Sequence, residues 1–393
     1  MNQSNVVKLI QPKQENPLFE EIEPSSEPVS VKVLLDEVEQ LVSSHVSCEP
    51  ETVTAATLWI LSTWCLNITE YAPIACITAP EKRCGKSTML DLFELLVKRP
   101  FKVDNSSASA LFRLVEKYQP TLLLDEIDTY ISKNDEIIGV INSGYKPNGK
   151  VVRCVGKDHE PTPFKTFSCK AVAGIGEPPP TIADRGIILR LTRKMVGEKL
   201  LRLISSNQNH WHYYKRRFAR FEFDFCDMAD TYFKAVGEMP EHMNSRQADC
   251  WHILFAIAKA GGDAWFAKAN IAAEIICGVE QGDSVGVELL TDIATVTHHN
   301  QRIKFSVKEL QEWLVTDEYL QWSSHLRGSQ ITIRWLAKKL SSFEIKAKTV
   351  NLAKEGNQKG YHINQFDDAF ERYISSAKMM QILAPEMEVS DDY

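Results

Sequence analysis

The chain is 393 residues long, enough for two or three domains that each bury a core of their own. Its 44% hydrophobic and 25% charged residues are those of an ordinary soluble globular protein, which excludes a disordered or fibrous chain. A formal net charge of −7 excludes coating of nucleic acid by bulk charge but leaves room for a local basic groove.

The nine cysteines are odd in number, scattered, and form no CxxC pair. They predict no disulfide framework and a reducing, cytoplasmic setting. Residues 1–28 are rich in Gln, Glu, Pro and Ser and predict a flexible arm, without the apolar core of a cleaved signal. Apolar residues at helical spacing follow in 30–47, then a second helix in 52–67. The stretch 52–69 is the most apolar of the chain. It holds Thr, Ser and Asn and is bracketed by Glu51 and Glu70, so it predicts a buried helix and no membrane span.

From residue 74 the pattern alternates. Strands are predicted at 74–78, 121–124, 151–155, 164–169, 171–175 and 187–191, with helices at 86–98, 108–118 and 135–143. Strands alternating with helices predict an α/β fold with a parallel sheet and helices on both faces. After residue 194 the periodicity is helical only, strongest in 249–262 and 265–277. Beyond 284 come three helical segments and then two strand-like arms in 348–363 around a turn at 354–358, the pattern of a winged-helix-like unit. An acidic tail closes the chain.

Two short segments carry chemistry. The first, IACITAPEKRCGKST, is a strand running into a loop of Pro80, Glu81, Lys82, Arg83, Cys84 and Gly85, after which Lys86, Ser87 and Thr88 open a helix. Backbone N–H groups of such a loop and the helix N-terminus point at an anion, and the helix dipole favours its charge. Lys86 would reach the β- and γ-phosphates of ATP and the Ser87 hydroxyl would bind Mg²⁺. Pro80 stands where the usual motif has Gly, a position that mainly makes the turn. The second segment, TLLLDEID, is four strand residues followed by carboxylates. Asp125 would hold Mg²⁺ through water, and Glu126 would orient and deprotonate the attacking water. Neither carboxylate suits the end of a buried strand without a cation or partner. Asp128 closes that segment. Cys84, beside Lys82, Arg83 and a helix N-terminus, is either a thiol of lowered pKa or an inert loop residue.

These residues resemble AAA+ ATPases, and more narrowly a family of P-loop domains in replication proteins of plasmids, phages and genomic islands. The similar segments lie between residues 34 and 373 and include APEKRCGKSTMLDLFELLVKRP, ALFRLVEKYQPTLLLDEID, INSGYKPNGKVVRC, AGIGEPPPTIADRGIILRL and KGYHINQFDDAFERYI. The resemblance implies an AAA+ core at 29–200, an all-helical lid at 201–283, a winged-helix-like DNA- or partner-binding unit at 284–375 and a tail at 376–393. It implies that Arg185 is an arginine finger reaching a neighbouring subunit's γ-phosphate, the alternative being a structural ion pair with Asp184 or another acid. It implies that Arg246 is a sensor-2 residue at the nucleotide, the alternative being a surface arginine. The sensor-1 place, near residues 174–177, holds no Asn or Thr and stays unassigned.

The segment 146–169 looks like a hairpin, and the resemblance places DNA contact there. Lys146, Lys150, Arg153 and Lys157 supply charge, though charged tips are also simply solvated. Arg334, Lys338, Lys339, Lys346, Lys348, Lys354 and Lys359 could meet phosphate from the C-terminal unit. Trp335, Leu336, Leu340 and Phe343 fall at helical spacing and read as core. Lys215, Arg216 and Arg217 beside Tyr213 and Tyr214 read as a solvated helix face with a buried aromatic side. His210, His212, His298 and His299 lack the partners of a metal site. The reading is an oligomeric, hexameric ATP-driven motor acting on single-stranded or forked DNA, a helicase or replication initiator of a mobile element. The alternative is an AAA+ switch controlling assembly with a protein partner without unwinding.

Overall fold

The structure, a computed structural model, describes residues 18–103, 106–127, 135–205, 207–241, 243–278, 285–326, 328–352 and 356–383. Asp128, Lys354, the first seventeen residues and the tail from 384 lie outside the described residues. The chain divides into two units, Met1–Val279 and Glu280–Tyr393.

In the first unit, α1 (Val31–His45) and α2 (Pro50–Ser62) precede β1 (Ile74–Ala79). Then come α3 (Lys86–Leu96), β2 (Pro100–Val103), α4 (Ala108–Tyr118), β3 (Thr121–Leu124) and α5 (Asp135–Ser143). The ribbon β4 (Lys150–Val155) and β5 (Glu160–Lys165) follows, then β6 (Lys170–Ile175), the short α6 (Pro180–Ala183) and β7 (Gly186–Arg190). Three helices complete the unit: α7 (Gln208–Val236), α8 (Ser245–Ala260) and α9 (Asp263–Gly278).

The sheet is five-stranded, in the order β2-β3-β6-β1-β7, and every pairing is parallel. β1 is buried along its whole length, as befits a strand with neighbours on both sides and its faces covered. The chain leaves β1 for the far edge at β2, returns through β3 and β6, and then crosses to the other side of β1 at β7. This reversal puts a crevice at the C-terminal ends of the central strands, where open α/β sheets take their ligands.

The structure departs from the sequence reading in particular places. The predicted strand at 164–169 is four residues late: β5 spans Glu160–Lys165. Pro161 and Pro163 disguise it, but at alternate positions of a two-stranded ribbon their missing N–H groups face away from β4. The predicted helix 52–67 stops as α-helix at Ser62 and tightens into a 3₁₀ turn at Thr63–Ile68. Residues 18–28, read as part of a flexible arm, are with Val29 a strap on α7. Ser25 N–H donates to Arg216 O at 3.0 Å, Arg220 Nη1 donates to Ser26 O at 3.4 Å, and Ile22 and Val29 pack on the core.

A buried lysine went unread in the sequence. Lys170, at the start of β6, is 1% exposed and donates to Ser168 O (2.8 Å), Gly144 O (3.0 Å) and Thr166 O (3.4 Å). It ties the turn after α5 to the foot of the β4–β5 ribbon. A Cβ on Gly144 would come within 2.0 Å of Thr166 O and 2.3 Å of the Lys170 Nζ, so this packing needs glycine.

The second unit contains α10 (Val285–His299), β8 (Lys304–Ser306), α11 (Val307–Thr316), α12 (Ile333–Ser341), β9 (Lys348–Leu352), β10 (Gly356–His362), α13 (Asp367–Tyr373) and α14 (Ser376–Leu383). The two predicted arms are β9 and β10. A third strand, β8, pairs antiparallel with β10 on its other side. At three residues it is too short for periodicity to reveal. Phe305, Trp322, Leu336, Leu340, Tyr361 and Phe366 form its core.

Candidate functional site

The C-terminal edge of the parallel sheet collects the loops that follow β1, β3, β6 and β7. β1 ends at Ala79 and Pro80 turns the chain out of the sheet. The loop then needs two left-handed residues, Arg83 at φ 65° and Gly85 at φ 86°. Glycine adopts this conformation freely, whereas at Arg83 it costs on the order of 1 kcal/mol, a cost typically met at functional turns. Gly85 is the N-cap of α3 and offers no side-chain cap, and the first turn of α3 has no acidic residue. The leading N–H groups of an eleven-residue helix therefore lack a side-chain partner. Lys86, half-buried, donates from Nζ to Glu81 O at 3.2 Å, which folds the loop back over the helix start.

β3 brings the second half. Asp125 follows the fully buried Leu122, Leu123 and Leu124. Its Oδ1 accepts the Glu126 N–H at 2.9 Å, and its Oδ2 accepts from Ser87 Oγ at 3.1 Å. Two segments 38 residues apart thus meet side chain to side chain. Glu126 is exposed and left-handed at φ 52°, which turns its carboxylate away from the strand line. Gly176, at φ 75° after β6, donates to Ala79 O at 3.0 Å and closes the same edge. Ser87 and Asp125 offer hard oxygen ligands of the kind Mg²⁺ takes, with room for waters on the exposed side of Ser87.

The sequence reading missed the fourth wall. Arg193, three residues past β7, donates from Nη2 to Lys82 O at 3.3 Å. Thr192 N–H donates to Ser47 O at 3.1 Å, and Cys48 bridges Leu191. Val46 Cγ1 lies 3.5 Å from where a Cβ on Gly85 would stand. The α1–α2 turn and the exit of β7 therefore flank the loop. The parallel register of β7 on β1 carries this information, since residues after Arg190 must emerge beside those after Thr78. Lys82, Arg83, Lys86 and Arg193 form a cationic rim, and Lys82 and Arg83 make no ion pair among the described residues. Cys84 is 3% exposed with its Sγ 3.8 Å from Lys82 O, which favours the inert reading over the reactive one.

Arg185 and Arg246 are elsewhere. Arg185 immediately precedes β7, and Ile74 N–H donates to its carbonyl at 3.0 Å, so it stands at the N-terminal edge of the sheet. Six residues of β1 separate that edge from the loop, about 16 Å at roughly 3.3 Å per step. Arg185 Nη1 donates to Thr181 O at 2.6 Å. The ion pair with Asp184 is made by Arg246 instead, through Nη1. Arg246 is therefore held by Asp184 at this edge, away from the loop at residues 80–85 of its own chain, as a half-exposed surface arginine. Sequence spacing could not show this, because the direction of α8 relative to the sheet is a tertiary matter.

The cations of the β4–β5 ribbon are partly engaged. Lys146 sits over the Tyr71 ring at 4.9 Å, and Arg153 lies 3.8 Å from Glu136 and over Phe112 at 5.5 Å. Lys150 and Lys157 are exposed. At the foot of the ribbon a cleft of about 940 Å³ is lined by Arg99, Lys117, Lys150 and Lys165 together with Glu21 and Glu116. In the second unit Arg334, Lys338, Lys346, Lys348 and Lys359 are exposed, whereas Lys339 lies 5.7 Å from the Trp335 ring. Trp335 packs on Trp322 at 5.8 Å, so it is core. Arg217 is buried against Glu37, which accounts for one cation of the Lys215–Arg217 run. Among the described residues no group of three His, Cys, Asp or Glu side chains could hold a metal, and no helix is long and apolar enough to cross a membrane.

A family model described as "Protein of unknown function (DUF3631)" matches residues 190–373. The match starts after the two loops at residues 80–88 and 125–127. No curated protein matches the chain. Among solved structures, two A-form apo structures of the NrS-1 C-terminal region are similar at 11% identity each. They cover 89% of this chain and 79% and 78% of their own, with TM-scores of 0.42 and 0.37.

Proposed function

We propose that the chain is a P-loop ATPase of the AAA+ kind whose hydrolysis drives work on DNA. The observation that carries the reading is the Ser87–Asp125 contact at 3.1 Å. It joins an uncapped helix N-terminus to a strand-end carboxylate at the sheet's switch point, beside Lys86 and an exposed Glu126. The loop from Pro80 to Gly85 and the start of α3 at Lys86, Ser87 and Thr88 would cradle the phosphates of ATP, and Lys86 would neutralise their charge. Ser87 and Asp125 would hold Mg²⁺, which when bound offsets charge on the phosphate oxygens. Glu126 would orient a water and accept its proton. Arg185 lies too far from the loop of its own chain to help, and as an arginine finger it would serve a neighbouring subunit in a ring-like oligomer. A finger contributes roughly 10³ to 10⁵ in rate where it has been measured.

The order α10, β8, α11, α12, β9, β10 supports a winged-helix reading of the second unit, with exposed Arg334 and Lys338 one turn apart on α12. This and the basic cleft under the ribbon support DNA as the substrate of the motor, in replication of a mobile element. One observation favours the switch reading instead. Lys146 and Arg153 are already occupied within the chain, which leaves the ribbon less charge for phosphate.

Steady-state ATP hydrolysis with and without single-stranded DNA, with Glu126→Gln as blank, tests the proposal. Hydrolysis stimulated several-fold by DNA is expected. Slow hydrolysis indifferent to DNA would shift the reading to the switch, and none above the blank would sink the ATPase.

A further inference from the structure

The strap on α7 reaches with its leading end into the basic cleft at the foot of the β4–β5 ribbon. Its far end is the anchor. There Ser25 N–H donates to Arg216 O at 3.0 Å, while Arg216 Nε donates to Glu23 O and Arg220 Nη1 to Ser26 O, each at 3.4 Å. Ahead of the anchor the Phe19 ring stands edge-on to the Tyr118 ring, with centroids 6.2 Å apart. Glu21, two residues on, lines the cleft together with Arg99, Lys117, Lys150 and Lys165. Four cations thus face two carboxylates, Glu116 and the one that the strap brings in. Glu116 already accepts the Lys165 backbone N–H. Tyr118 stands among these cations, with the Lys117 ammonium 4.7 Å from its ring centroid. The wall around it is pinned: Arg99 Nη1 donates to Tyr118 O and Gln119 Nε2 to Phe167 O, both at 3.4 Å. Arg99 at φ 48° and Gln119 at φ 47° are left-handed, a conformation that non-glycine residues keep mainly where ligands are clamped.

An aromatic face among fixed cations is what single-stranded nucleic acid needs, because its bases stack on the ring and its phosphates meet the charges. We propose that this cleft binds single-stranded DNA, with a base on Tyr118 and the adjoining phosphates at Arg99, Lys117, Lys150 and Lys165. The strap occupies the cleft by imitation: Phe19 takes the place of the base and Glu21 that of a phosphate. This rests on the reading of DNA as the substrate. Arg99 precedes β2, Gln119 precedes β3 and Phe167 precedes β6, so the cleft lies at the opposite edge of the sheet from the loop at residues 80–85. DNA and a nucleotide therefore do not compete for space. DNA entering the cleft displaces residues 19–21, while the anchor at residues 23–29 stays on α7.

The experiment titrates full-length chains into a fluorescein-labelled oligothymidylate and reads anisotropy at fixed salt. Phe19→Ala combined with Glu21→Gln should tighten binding about threefold or more, because apparent affinity is lowered by the closed fraction that these changes remove. Adding Tyr118→Ala to that variant should weaken binding about fivefold or more, the lower end of what one base–aromatic stack is worth. Tyr118→Leu, which keeps apolar bulk without a π-face, should weaken it likewise and serves if the alanine variant does not fold. Lys117→Glu with Lys165→Glu should weaken binding and flatten its salt dependence. Hydrogen exchange across residues 18–22 should quicken when the oligonucleotide is added to the unmodified chain. Parent affinity in all these variants would place the DNA elsewhere, and the proposal would fail while the DNA reading stands. Exchange slowed across residues 18–22 would mean that the strap closes over the DNA, which overturns the imitation. No binding by either the parent chain or the strap variant would sink both.

Discussion

Lys170 gives a prediction whose size follows from the structure. Burial pushes its ammonium down from the ordinary 10.5 to about 7, even with three carbonyl oxygens to accept its protons. Between pH 7 and 10.5 the folded chain therefore holds fewer protons at this site than the unfolded chain. Stability must rise with pH through that window and be flat below it. One proton amounts to about 1.4 kcal/mol per pH unit, so the contribution should grow by about 2 kcal/mol from pH 7 to about 9. Above about pH 9 buried thiols work the other way. Cys169, pushed up to about 12, stays protonated when folded and loses its proton when unfolded. The useful window is thus about pH 6 to 9. Urea unfolding of the full chain, followed by tryptophan fluorescence, would be compared with that of Lys170→Met, which cannot titrate. Subtracting the profiles removes every group common to both. The difference should be level from about pH 6 to 7 and then climb in favour of the lysine chain. Parallel profiles would show that the three carbonyls keep Lys170 charged throughout and that the reasoning from burial is wrong.

Lys86→Ala should abolish ATP binding in an equilibrium titration, and normal affinity would refute the phosphate-loop assignment. Glu126→Gln should bind ATP, accumulate as an oligomer on size-exclusion chromatography and turn over at less than about a hundredth of the parent rate, the scale set by losing a general base; near-normal turnover rules it out as the base. Charge reversal at Lys150 and Lys157 together should weaken single-stranded DNA binding and flatten its salt dependence, since each lost phosphate contact on a single strand lowers the slope by about 0.7. An unchanged slope would take the β4–β5 ribbon out of the DNA path.

Local chemistry was legible in the sequence. An apolar run ending at Pro80, then Gly85-Lys86-Ser87, had to be a strand, a loop and a helix start, because helix capping and strand burial are decided by residues within a few positions. Thr121–Leu124 followed by Asp125 and Glu126 was readable for the same reason. What lay beyond reach depended on partners distant in the chain. The order β2-β3-β6-β1-β7 fixed which loops share an edge, and through it that Arg193 borders the loop at residues 80–85. Pro161 and Pro163 hid β5 because their tolerance depends on which side the partner strand lies. Lys170 went unread because only the turn at Gly144, distant in the chain, buries it. Arg246, left open in the sequence between a nucleotide residue and a surface arginine, pairs with Asp184, because the packing of α8 against the foot of the sheet sets where that side chain can reach. Hydrogen-bond and ion partners across a fold are chosen by three-dimensional packing, and a linear spacing records them only when they are neighbours in the chain.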